Sequence, residues 1–196
     1  FNYCVHMFIL KKKYFLIIES IRDINLRKIK KFNKFFIIYR NNGITECLND
    51  IIKFRKECQI KSIKFYVAND IKLAKKISSD GIYLSSYNRS LKILNLRKKN
   101  FGIIGSAHNI NEISIKVKQK CNYILLSKLF LVDYDKNSSF LGIVKFNKYL
   151  NTISSKLVPL GGIKISNLNS LKILNCNSFA ILSEIKKKPA IIDRLF

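Results

Sequence analysis

What most constrains this chain is a rhythm. Short, near-continuous apolar runs rich in Ile, Val, Phe and Tyr alternate with segments whose apolar residues recur at helical spacing. The runs are Tyr14–Ile18, Phe35–Tyr39, Ile63–Val67, Gly81–Leu84, Phe101–Ile104, Tyr123–Leu126, Leu157–Leu160 and Phe179–Leu182. Apolar runs without polar alternation imply strands buried on both faces, and alternation with helices implies parallel pairing through crossovers. Between the runs, Ile71, Ala74 and Ile77 follow Asp70, and Leu168, Leu171 and Leu174 follow Ser166-Asn167, which predicts capped helices. A further helix is expected at about Val144–Thr152, after a polar stretch from Asp133 to Ser139. Eight strand-helix units fit an α/β fold, a single small (β/α)8 TIM barrel, and 196 residues lies at the short end of that architecture, near about 200. An open doubly wound sheet shares the pattern, but no G-x-G-x-x-G follows the first strand. Residues 1–13 are assigned to an N-terminal extension and residues 14–196 to the barrel.

Composition narrows the partners. Hydrophobic residues at 48% with two prolines exclude a disordered or collagen-like chain. Lys+Arg at 37 against Asp+Glu at 12 gives a formal charge of +25, the kind of total that nucleic-acid binders carry. The lysines, however, are spread over the whole chain, and the abundance of Lys, Ile and Asn is what AT-rich coding produces. Nucleic acid is not the expected partner. Small phosphorylated substrates need only a local positive field. Cys4, Cys47, Cys58, Cys121 and Cys176 form an odd set without a C-x-x-C pair, expected as reduced, mostly buried thiols of a cytoplasmic protein. No stretch reaches bilayer length, and Val5–Leu10 precedes Lys11–Lys13, the reverse of signal-peptide order, so no membrane partner is expected. The chain opens at Phe1, with Met7 a candidate initiator. A homo-oligomer remains open.

In a barrel of this kind, chemistry belongs to the loops at the carboxyl ends of the strands. Polar and glycine residues collect there: Arg40, Asn69-Asp70, Ser85-Ser86, Ser106 and His108, Lys128, Gly161-Gly162 and Ser183. Gly161-Gly162 reads as a phosphate cradle approached by backbone N–H groups, or as a tight turn. Arg40 reads as a bidentate partner of a diphosphate, or as a solvated loop cation. Asp70 suits a Mg2+ ligand and equally a helix N-cap. His108 reads as a proton shuttle or as a polar helix start.

Taken in order, these residues resemble the thiamine phosphate synthase and TenI family, from Tyr14 to Ile185. The resemblance rests on F-Y-V-A-N-D-I-K-L-A at Phe65–Ala74, D-G-I-Y-L at Asp80–Leu84, I-I-G-S-A-H at Ile103–His108, C-N-Y-I-L-L at Cys121–Leu126, L-G-G-I at Leu160–Ile163 and F-A-I-L-S-E-I at Phe179–Ile185. It implies a (β/α)8 barrel joining a pyrimidine methyl diphosphate to a thiazole phosphate with release of diphosphate. It places Arg40 and Asn69 on the diphosphate substrate and Asp70 on Mg2+. The backbone of Gly161-Gly162 and Leu182-Ser183 falls on the thiazole phosphate. Ser106 joins the substrate-binding set, and Arg40 and His108 the catalytic one.

Three segments depart from that pattern. Where synthases show H-L-G-Q-x-D, this chain has Tyr83, Leu84, Ser85, Ser86, Tyr87 and Asn88, so Asn88 takes the place of a second metal carboxylate. Asn42 stands where a lysine is usual. The G-P-x-F-x-T-x-T-K loop is replaced from Ser127 onward, with Lys136 as the candidate for its lysine. A TenI-type thiazole tautomerase using His108, and a non-catalytic barrel that binds thiamine precursors, are the alternatives.

Overall fold

The computed structural model describes residues 13–29, 33–96, 101–133, 135, 137 and 139–182. Eight strands form: β1 Lys13–Ile18, β2 Phe35–Tyr39, β3 Lys64–Ala68, β4 Gly81–Leu84, β5 Gly102–Ala107, β6 Tyr123–Leu126, β7 Leu157–Pro159 and β8 Ser178–Ile181. From β1 to β7 each strand pairs in parallel with the next, and β8 pairs in parallel with β1. Leu160, just past β7, bridges in parallel to Ala180 of β8. That last bridge closes the sheet and excludes the open doubly wound alternative. The first strand takes in Lys13, one residue before the expected boundary.

Closure divides every strand into two faces. Phe15, Ile17, Phe36, Ile38, Tyr66, Tyr83, Ile104, Leu125, Val158 and Ala180 pack together inside the barrel. The alternate residues, Tyr14, Leu16, Ile18, Phe35, Ile37 and their counterparts, pack beneath the crossovers. Period-2 alternation thus exists, but both faces are apolar, and the sequence reads as continuous runs. At the amino-terminal end, Phe15 stacks on Phe36 at 4.7 Å and Tyr123 meets both edgewise. Lys13 Nζ donates to the Tyr123 hydroxyl at 2.8 Å. Tyr66 fills the adjoining layer because its register neighbours there lack side chains: Gly81 lies opposite Tyr66, and Gly102 opposite Gly81.

The crossovers are less regular than the strands. The α-helices are α1 Leu48–Ile60, α2 Ile71–Lys76, α3 Ile110–Lys118 and α4 Gly142–Thr152. The remaining described crossovers use 3-10 turns at Ile21–Asp23, Leu26–Lys28, Leu91–Leu96 and Ile165–Ile173. The helix expected over Leu168–Leu174 is corrected accordingly. It is a 3-10 segment starting at Ile165, with Lys164 rather than Ser166-Asn167 at its N-cap and Leu174 at its C-cap. Apolar residues at a strict spacing of three suit three residues per turn, and Asn167, Asn169 and Ser170 disfavour an α-helix. A 3-10 turn rises about 2.0 Å per residue against about 1.5 Å in an α-helix, so these crossovers span the barrel wall with fewer residues. That economy is one way to close a barrel in so short a chain.

Burial pushes the thiols of Cys58 and Cys121 up to about 12, whereas Cys47 is exposed. Alkylation at pH 8 followed by mass mapping should mark Cys47 and leave Cys58 and Cys121 unmodified until the chain is unfolded. At Gly81 an added Cβ would come within 2.0 Å of the Gly102 carbonyl oxygen and 2.6 Å of the Tyr66 ring. Gly81→Ala is therefore expected to cost about 3 kcal/mol, read as a lowered urea midpoint at unchanged m-value.

Candidate active site

Parallel pairing carries every strand's carboxyl end to one mouth, which holds a cavity of about 190 Å3 lined by Arg40, Tyr83, Ser85, Ser106, His108 and Gly161 among others. Its floor is built from inward-facing strand residues. β5 runs to Ala107, beyond the expected end at Ile104, so Ser106 is a buried strand residue rather than a loop residue. Its hydroxyl bonds to that of Tyr83, which burial pushes above the ordinary phenol value while Ser106 and the Arg40 charge oppose that rise. Tyr83 is thus neutral near pH 7 and acts there as a hydrogen-bonding group. Arg40 follows β2 directly, its N–H donating to the Ile18 carbonyl at 2.8 Å. Its guanidinium lies 3.7 Å from Glu19, and its buried Nε has no hydrogen-bond partner among the described residues. Asn42, in the place of the usual lysine, donates to the same Glu19 carboxylate at 2.7 Å.

Asn69 and Asp70 stand at the rim without lining the cavity. Asn69 adopts φ +56°, a left-handed conformation that Asn tolerates better than most residues. Its amide turns back onto the loop after β4. There it donates to Ser85 Oγ at 2.6 Å and to the Tyr87 hydroxyl at 3.1 Å, and accepts from the Ser85 N–H and the Asn88 side chain. Asp70 is exposed and caps α2, with Oδ1 accepting from Leu73 N–H at 2.9 Å. The Asn88 side-chain oxygen accepts from Ser90 N–H at 3.2 Å. A Mg2+ ion wants several oxygens in near-octahedral array. Here one carboxylate oxygen is spent on a helix cap and the amide oxygen on a turn. Among the described residues no cluster of three or more His, Cys, Asp or Glu could hold a metal. This donor set does not fit a Mg2+ cradle.

What secures the loop after β4 is a lysine that the sequence reading passed over. Lys116, on α3, is fully buried, and its ammonium donates to the carbonyls of Ser85 at 2.8 Å and Asn88 at 2.7 Å and to Gln119 Oε1 at 3.0 Å. Gln119, also buried, donates to the carbonyls of Asn88 and Ser90. The stem fits because β5 has Gly105 beside it: a Cβ there would lie 2.7 Å from Lys116 Cδ. All three ammonium donors are satisfied by neutral oxygens, and burial pulls the Lys116 pKa below its ordinary value. An apolar i+3/i+4 pattern on α3 gives no hint of this, because lysine on a helix reads as solvated.

His108 follows β5, half-exposed, with Nδ1 3.2 Å from Glu112 Oε2. The His108 backbone N–H donates to the same oxygen at 2.7 Å, and Asn109 caps α3 on the Glu112 N–H. Burial raises the Glu112 pKa, but hydrogen bonds from His108 and Asn109 outweigh it and leave the carboxyl below its usual value. Glu112 is the orienting carboxylate, four residues after His108. Gly161 and Gly162 have φ +96° and +66° and line the cavity with Leu182. A Cβ on Gly162 would meet the Leu131 and Phe130 carbonyl oxygens at 2.5 and 2.6 Å. The glycines are therefore required both by conformation and by the close approach of the loop after β6. Lys136 and Ser183 lie outside the described residues.

A family model described as thiamine monophosphate synthase matches residues 27–185. A thiamine-phosphate synthase of Prochlorococcus marinus (strain AS9601) is 26% identical over 173 residues, covering 86% of this chain and 48% of that protein. One from Flavobacterium psychrophilum is 25% identical over 122 residues, covering 59% of each chain. The chain spans about half the length of the Prochlorococcus relative. Among solved structures, a thiamine phosphate pyrophosphorylase from Pyrococcus furiosus superposes with a TM-score of 0.70 at 15% identity, over 96% of this chain and 98% of that one. A 4-hydroxy-2-oxoglutarate aldolase superposes at 0.65 with 10% identity, over 95% and 93%. These structural likenesses speak for the barrel alone.

Removing the buried ammonium tests its role in the rim. Lys116→Met should destabilise the protein by about 2–4 kcal/mol, since the Ser85 and Asn88 carbonyls and Gln119 Oε1 each lose one buried donor. A folded pKa below that of the unfolded chain means the unfolded state binds more protons as pH climbs from that lowered value towards 10.5. Wild-type stability relative to the variant should therefore increase over that window, read by urea titration at several pH values.

Proposed function

We propose, from the premise that the chain belongs to the thiamine monophosphate synthase family, that it makes thiamine phosphate from a pyrimidine methyl diphosphate and a thiazole phosphate. The observation that carries this reading is the convergence of Arg40, Tyr83, Ser106, His108 and Gly161-Gly162 on one mouth cavity. Its family membership supports a place in thiamine biosynthesis.

The reaction breaks the bond between the pyrimidine methylene and the diphosphate oxygen, which leaves with the electron pair. The thiazole nitrogen then supplies the pair for the new carbon–nitrogen bond. Positive charge develops on the methylene and negative charge on the leaving group, so the protein's contribution is mainly electrostatic. Arg40, oriented by Glu19, meets the departing diphosphate. Ser106 and the neutral Tyr83 offer hydroxyls to the pyrimidine at the cavity floor, and Asn69 fixes the rim above it. Backbone groups of Gly161, Gly162 and Leu182 receive the thiazole phosphate. No step is assigned to a metal, because Asp70 and Asn88 do not form a cradle for one. Asp70 is given the role of a cap.

One geometric feature favours a second reading. The His108–Glu112 pair is an oriented acid-base group at the mouth, as a thiazole tautomerase requires. In the coupling reaction His108 has no necessary proton to move.

Both reactions should be assayed with purified protein, with and without added Mg2+. The synthase reading expects coupling of the two substrates. It also expects Arg40→Ala to lower kcat/KM about 100-fold or more, in line with loss of a preorganised charge, and His108→Ala to stay within about threefold. Tautomerisation abolished by His108→Ala, with no coupling in wild type, reverses the assignment. Ligand binding without turnover in either assay leaves the non-catalytic barrel.

A further inference from the structure

The loop after β6 reaches the glycine turn from the opposite side of the mouth. Leu129 N–H donates to the Leu160 carbonyl at 2.8 Å, and Phe130 N–H to the Gly161 carbonyl at 3.1 Å. Those bonds press the Lys128 backbone against Gly161, where an added Cβ would lie 3.2 Å from Lys128 Cα. Lys128 consequently lines the cavity beside Gly161 and Gly162. Its ammonium is held at 2.6 Å by Asp135 Oδ2, and the lysine side chain is 20% exposed against 43% for the aspartate. Lys164, two residues past Gly162, pairs with Asp133 of the same loop. A turn closed by the Val132–Asp135 bridge presents both carboxylates. Each cation flanking the glycine turn therefore faces an acidic side chain that is more exposed than itself.

We propose that Lys128 is a phosphate-binding residue of this site and that Asp135 is its stand-in counter-ion, displaced when a phosphate arrives at Gly161-Gly162. The inference rests on the placement of a phosphate at that turn. A part-exposed ion pair contributes little to stability, so exchanging its carboxylate costs little. A phosphate dianion carries more charge and more acceptor oxygens than the carboxylate it replaces. Asp133, by holding Lys164, keeps the carboxylate-bearing turn over the site.

Calorimetric titration of the full chain with thiazole phosphate, and separately with inorganic phosphate, tests the exchange. Asp135→Asn keeps the side-chain shape and removes the competing charge. It should tighten binding of both probes roughly two- to fivefold, the scale of a part-exposed ion pair. Lys128→Met should weaken binding about tenfold or more, Lys128→Arg should restore most of it, and adding Asp135→Asn to Lys128→Met should bring no gain. Binding by Asp135→Asn that is equal to or weaker than wild type overturns the proposal, as does unaltered binding by Lys128→Met. Tighter inorganic phosphate binding by Asp135→Asn in a protein that turns over neither substrate upholds it while the synthase reading fails. Absence of phosphate binding in wild type and Asp135→Asn alike overturns it.

Discussion

Closure of the sheet through β1, β8 and the Leu160–Ala180 bridge is the constraint on which the rest of the molecule depends. A closed parallel barrel has no edge to satisfy and only two ends, so every strand delivers its following loop to the same mouth. Arg40, Ser106, His108 and Gly161 are separated by up to 121 positions in the chain, counted from Arg40 to Gly161, yet line one cavity. The amino-terminal end is sealed by Phe15, Phe36, Tyr66 and Tyr123, with Lys13 over the Tyr123 and Phe36 rings. Chemistry is therefore confined to the other end.

Within that frame the rim is stabilised by polar devices rather than by apolar packing. Ser85, Asn88 and Ser90 receive donors from Lys116 and Gln119 beneath them, and Ser85 is also gripped by Asn69 from the side. A loop tied by its carbonyls tolerates large changes in its side chains. That accounts for how Ser85 to Asn88 diverge from H-L-G-Q-x-D while the loop still contributes to the cavity wall. The same loop offers no carboxylate for a metal, and Asp70, after β3, caps α2.

The strands are legible because burial on both faces leaves short apolar runs rich in β-branched and aromatic residues, too short for buried helices. Gly81–Leu84 and Tyr123–Leu126 match the structure at both ends. The apolar run of β5 stops at Ile104 because Gly105 and Ser106 interrupt it, although Gly105 admits Lys116 and Ser106 faces the polar floor. The helices were less legible: a spacing of three at Leu168, Leu171 and Leu174 does not distinguish an α-helix from a 3-10 turn. At the site, Arg40, His108 and the glycine pair could be picked out by position alone. Glu112 was accessible from its spacing of four after His108 and its place behind an Asn cap. Lys116 is hidden by composition, since in a chain with 37 basic residues a buried lysine looks like any other, whereas Lys128 is placed at the mouth by its position after β6.

The proposed reaction requires that phosphate be received at the glycine turn of this mouth. Backbone amide shifts followed by NMR during titration with thiazole phosphate test it most directly. The largest perturbations should fall at Gly161, Gly162 and Leu182, with the amino-terminal end of the barrel around Lys13 and Tyr123 unmoved. Perturbations centred on that opposite end, or spread evenly over the basic surface, would contradict it.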